Sequence, residues 1–101
     1  MSRDTSELAN EFHRRMLAIY ADAARLLGYR ATRFLQVVSE RGGVDAAKHL
    51  IGGEVQDGFV RLTLAGRSDL TMESLMLEER FRPLFSEDEL SLARQRLGVA
   101  E

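Results

Sequence analysis

FVRLTLAG, residues 59–66, admits two incompatible periods. Val60, Leu62 and Leu64 alternate with Arg61 and Thr63 as a half-buried strand would, whereas Phe59, Leu62, Thr63 and Gly66 fall at the spacing of a helical turn. A strand needs a partner, because unpaired backbone N–H and C=O groups are costly, and no other segment of the chain alternates clearly. The segment is therefore expected to be a short helix capped by Asp57, and the fold to be all-α.

Outward from that segment, glycines and capping residues divide the chain. Upstream, Asp4 with Glu7 forms a cap and its return partner, and Leu8, Phe12, Met16, Ile19, Ala23 and Leu26 follow at spacings of 3 and 4 up to Gly28. This predicts a helix of about 24 residues, some 36 Å long at 1.5 Å per residue, more than the rest of a small domain readily covers. A second stripe, Ala31, Phe34, Leu35, Val38, ends at Gly42-Gly43; a third, Val44, Ala47, Leu50, Ile51, ends at Gly52-Gly53, and both glycine pairs read as C-caps. Residues 52–58 are expected to be a flexible loop.

Downstream, Thr71 is an N-cap, with Asp69 and Leu70 before it and Met72, Leu75 and Met76 on the core face. Arg82 precedes the only proline, so that helix should finish near Arg80 and leave PLF, residues 83–85, as an extended connector. Ser86 with Glu89 is a capping box; Leu90, Ala93 and Leu97 follow, Gly98 stops the helix, and Arg94 and Arg96 suit the negative end of its dipole. The expected architecture is five or six helices in one domain over residues 1–101, with a long N-terminal helix and frayed ends at 1–4 and 99–101.

Composition excludes several classes. With 45% apolar and 30% charged residues the 101-residue chain has an ordinary globular balance. No stretch approaches the roughly 20 apolar residues of a spanning helix, and MSRDTSELANEF carries acids where a signal peptide needs an apolar core. Without cysteine there are no disulfides, thiolate nucleophiles or thiolate metal sites; a cytoplasmic location and no membrane partner are expected. His13 and His49 lack a second ligand at helical spacing, no Ser lies in a nucleophile motif, and Glu78/Glu79 and Asp88/Glu89 are neighbours that diverge on a helix. No enzymatic activity, metal or cofactor is expected.

Two binding readings remain. A protein-interaction or regulatory module, self-associating through the N-terminal helix, would use amphipathic residues off the main stripes, Tyr20 and Tyr29 with Leu77 and Phe85, together with the arginines Arg30, Arg33, Arg67, Arg80 and Arg82. The alternative is nucleic-acid binding through a helix-turn-helix-like pair at residues 31–51, with Arg30, Arg33 and Lys48 on its surface. A net charge of −2, distributed as +2 over residues 1–68 and −4 over 69–101, favours the first. Arg14 and Arg15 have Glu11 and Asp22 near them on the same helix, which predicts a salt-bridged face.

ATRFLQVVSERGG, AAKHLI, GF, LTLAGRSDLTMESLML and FRPLFSEDELSLARQRLG resemble a widespread group of short bacterial proteins of unknown function. The matching points are Arg33-Phe34-Leu35, Gly58-Phe59, Asp69-Leu70-Thr71 and Leu84-Phe85, and the resemblance extends over most of residues 12–98. It implies a bacterial origin and a stand-alone, mostly helical protein, and it supports the helical choice for FVRLTLAG. Of activity it implies nothing.

Overall fold

The computed structural model describes residues 2–98, with side chains from Ser6 onward. Among them are six α-helices, α1 (Ser2–Leu27), α2 (Thr32–Arg41), α3 (Gly43–Ile51), α4 (Asp57–Leu64), α5 (Met72–Met76) and α6 (Glu87–Leu97). Two 3-10 helices, Ser68–Leu70 and Glu79–Leu84, complete the order. No strand occurs among the described residues, so FVRLTLAG is helical and the protein is all-α. Nor is any described helix long and apolar enough to cross a membrane.

α1 is the spine. At about 1.5 Å per residue its 26 residues span about 39 Å, which matches the 40 Å long axis of the molecule. Every element except α6 packs along it substantially, and α6 closes the core against α3 and α5. Its apolar stripe is therefore covered within the chain as far as Ala23, while Leu26 near its C-terminal end is 40% exposed. α1 begins at Ser2, ahead of the expected cap at Asp4, whose side chain is not among those described. Of the ends expected to fray, residues 1 and 99–101 lie outside the described residues, and residues 2–4 form the first turn of α1.

The two glycines at 42–43 do different work. Gly42 sits at φ 84°, ψ 157°, a conformation all but confined to glycine, and its N–H bonds the Val38 carbonyl to end α2. Gly43 is no cap: it opens α3, buried against α1, where a Cβ would stand 2.5 Å from the Cα of His13. Its N–H donates to His13 Nδ1 at 2.9 Å. α2 and α3 are thus joined through one residue, shorter than the three or four of a helix-turn-helix.

Three local expectations are corrected. The loop after α3 is residues 52–56, because Asp57 and Gly58 are already helical and Gln56, not Asp57, is the N-cap of α4. The helix capped by Thr71 ends at Met76 instead of near Arg80, and residues 83–85 are not an extended connector, since Pro83 lies inside the second 3-10 helix. Burial overrides local preference there: the coil places Phe81 and Phe85 edge-on to Phe12, with ring centroids 5.3 and 5.2 Å away. Phe85 is thereby a core residue, not an interface residue, and Leu77 packs half-buried against the same core.

The caps at Thr71 and Ser86 form as read. Thr71 accepts from the Ser74 N–H, and Ser86 and Glu89 exchange both bonds of a capping box. Gly98 ends α6 in the left-handed conformation.

Candidate functional site

A cleft of about 290 Å³ opens between the C-terminal half of α1, residues 29–34, residues 54–62 and the start of α5. Its inner wall is apolar and mostly buried: Ile19, Ala23, Phe34, Leu62 and Met72. Its exposed rim is charged, with Arg33 on α2, Glu54 on the loop leading into α4 and Asp57 at the first position of α4. Among the described residues, the side chains of these three groups enter no hydrogen bond or ion pair, although they line one opening.

The two walls differ in sign for local reasons. α2 has no side-chain cap and no acid in its first turn, so the partial positive charge of its N-terminus adds to Arg33. α4 also lacks a side-chain cap, but carries Asp57 in its first turn with Glu54 just upstream. Tyr29 lines the cleft while its ring face holds the Arg61 guanidinium 4.6 Å from the centroid, tying the linker to α4.

Behind the cleft stands a buried ion pair that the residue pattern did not announce. Glu73 is 1% exposed; Arg96 Nη1 donates to its Oε2 at 2.9 Å, and Arg96 Nη2 donates to the carbonyls of Leu50, Ile51 and Gly53 at the end of α3. One guanidinium thus joins α6, α5 and the C-terminus of α3. Burial pushes the Glu73 carboxyl above its usual range, and the hydrogen bond from Arg96 opposes that shift without cancelling it. Among the described residues no buried side-chain nitrogen or oxygen lacks a partner. The one visible signal was a carboxylate set among Met72, Leu75 and Met76, together with an arginine in the last turn of α6.

The seven candidate residues do not share one surface. Tyr29 and Arg33 meet at the cleft. Tyr20 is half-buried against the core, and Arg30 is exposed on the linker. Arg67 forks onto Asp69 at 3.1 and 3.2 Å; the hydrogen bond raises the Arg67 pKa and lowers that of Asp69. Arg82 donates to the Leu77 carbonyl, and Arg80 pairs with Glu11. The same-helix pairs expected for Arg14 and Arg15 are not those formed: Arg15 bonds Glu78 at 2.6 Å, and Asp22 bonds Arg25 at 3.0 Å. Residues 78–80 pack beside α1, so Arg15 and Glu11 take partners distant in sequence, while Asp22 keeps a neighbour on its own helix. The helix-turn-helix surface loses Lys48 to Glu89 at 2.8 Å. Desolvation works to raise the Glu89 carboxyl, but its bonds from Lys48 and Ser86 outweigh that and hold it below the usual range.

Chemically, the cleft sets an apolar wall beside charges of both signs. The Thr71 hydroxyl is committed, accepting from Ser74 and donating to the Ser68 carbonyl. Among the described residues no three His, Asp or Glu side chains are grouped to hold a metal ion. No protein-family model, no curated protein and no solved structure matches the chain.

Proposed function

We propose that the chain is a non-enzymatic protein-interaction module whose contact surface is the outer face of α4. The observation that carries this is the placement of Leu64, 83% exposed, one turn beyond Val60, 46% exposed, on a helix of only eight residues. An isolated surface leucine is ordinary; an apolar pair on one short helix, with the half-exposed Val55 in the loop before it, favours a protein contact. The inner side of the same helix lines the cleft through Phe59 and Leu62.

Self-association fits this surface better than α1, whose stripe packs inward as far as Ala23 and leaves Leu26 exposed near its end. Support for the nucleic-acid alternative is thinner, because α3 packs against α1, α2, α5 and α6 and two of its polar residues are engaged, Asp45 by Arg41 and Lys48 by Glu89.

The test pairs light scattering and affinity capture on the native chain with the same measurements on a Val60→Glu, Leu64→Glu double variant. Both side chains are exposed, so the variant should fold. Loss of the oligomer or of the captured protein supports the reading; unchanged stoichiometry and unchanged capture reject it. A band shift on mixed DNA that weakens with salt would put the nucleic-acid reading in its place.

A further inference from the structure

We infer that the cleft binds a small zwitterion with an apolar body, an apolar amino acid or a dipeptide, and this stands independently of the contact surface proposed for α4. Three properties carry the inference together. First, the volume of about 290 Å³ lies at the lower edge of small-molecule pockets, which run from roughly 300 Å³ upward, and so favours a ligand of amino-acid size over a larger cofactor. Second, the inner wall is built from buried apolar side chains, Phe34, Leu62 and Met72 among them, and suits a hydrocarbon or aromatic group.

Third, the rim holds charges of both signs that do not neutralise one another. Elsewhere in the molecule opposite charges brought together do pair: Arg15 with Glu78, Arg80 with Glu11, Arg67 with Asp69, Lys48 with Glu89 and Arg96 with Glu73. Around the cleft Arg33 stays apart from Glu54 and Asp57, beyond ion-pair distance, though all three line the same opening. A molecule with a carboxylate at one end and an ammonium at the other completes both walls at once. The carboxylate meets the Arg33 guanidinium, which offers paired donors to two oxygens, and the ammonium meets Glu54 and Asp57 at the start of α4. Glu73, although part of the lining, already has its counter-ion in Arg96 and adds no free charge.

The experiment is an NMR titration of the full ¹⁵N-labelled chain with phenylalanine, with the dipeptide Gly-Phe, and with two probes that each lack one charge, phenethylamine and 3-phenylpropionate. The expected result is saturable amide shifts confined to residues 29–34 and 54–62 with phenylalanine or Gly-Phe, the tighter of the two reporting the distance between the walls. Each single-charge probe should bind about tenfold more weakly or worse, as loss of one charged contact implies. Arg33→Gln should weaken the zwitterion and 3-phenylpropionate while leaving phenethylamine unchanged; Glu54→Gln with Asp57→Asn should weaken the zwitterion and phenethylamine while leaving 3-phenylpropionate unchanged. These side chains are exposed and unpaired, so the variants keep the fold. No saturable shift with either zwitterion up to about 10 mM, a regime of less than about 3 kcal/mol of binding, would overturn the inference. Equal binding of the two single-charge probes and phenylalanine would overturn it as well.

Discussion

α1 runs through two regions that treat charge in opposite ways. Around Phe12 and Met16 the core is closed: Phe12 is fully buried under Phe81 and Phe85, and the Arg15 and Arg80 guanidiniums lie 5.8 and 5.2 Å from the Phe81 ring centroid. Each arginine is held by an acid from the other's segment, Arg15 by Glu78 and Arg80 by Glu11. Around Ile19 and Ala23 the same helix faces a cleft whose arginine and acids stay apart. The difference teaches where to look for function: at the closed end Arg15, Glu78, Arg80 and Glu11 are used on one another, and at the open end Arg33, Glu54 and Asp57 stay available.

The contrast breaks hardest at Phe12. Phe12→Ala should cost about 4 kcal/mol, the usual loss for a buried aromatic truncation, and release both partner rings. Urea denaturation followed by circular dichroism measures it; a loss below about 1 kcal/mol would show that the aromatic cluster is not what closes this end.

Gly43→Ala should come next, at about 3 kcal/mol. The added methyl meets the backbone of α1 at His13, not the tip of a flexible side chain, so the two helices must part. A variant as stable as the parent would mean that the α1–α3 crossing yields without penalty.

Arg96→Met tests the boundary between the regions. It leaves the Glu73 carboxylate buried without a counter-ion, at a cost of about 3 kcal/mol near neutral pH. The sign with pH follows from the direction of the shift. Glu73 has a folded-state pKa above its unfolded value, so the native state holds its proton more tightly, and stability from this group falls as pH rises out of the usual carboxylate range. Without Arg96 the opposing contribution is gone and the pH dependence steepens; the variant should regain stability on acidification relative to the parent. Denaturation midpoints measured near neutral pH and in mild acid decide this, and parallel curves for parent and variant would contradict the role given to Arg96.

Much of this frame was legible from residue order, and the reasons are local. Thr71, Ser86 with Glu89, Gly42 and Gly98 act on backbone groups within a turn of themselves, so their effect is written in adjacent residues. The second 3-10 helix was not legible: proline argues for extension at Arg82, and only the distant ring of Phe12 makes the coil worthwhile. Glu73 and Arg96 are 23 residues apart and meet through the packing of α5 on α6. The cleft is assembled from four separated segments, which is why Tyr29 and Arg33 stood out while Glu54 read as a loop residue and Asp57 as a helix cap.

The smallest effects belong to the open end, and their smallness is the sharpest form of the comparison. Arg33→Gln should change stability by less than about 0.5 kcal/mol, because an exposed side chain that touches no partner has nothing to lose on substitution. Glu78→Gln, by contrast, removes an exposed but real pair, and should cost up to about 1 kcal/mol at low salt and less at high salt. If Arg33→Gln proved the more damaging of the two in denaturant, the guanidinium would be holding the fold together, and the distinction between used and available charge would fail at the residue that defines it. If it is silent in denaturant yet weakens the zwitterion, that same residue separates stability from recognition, and the cleft is where this chain meets its ligand.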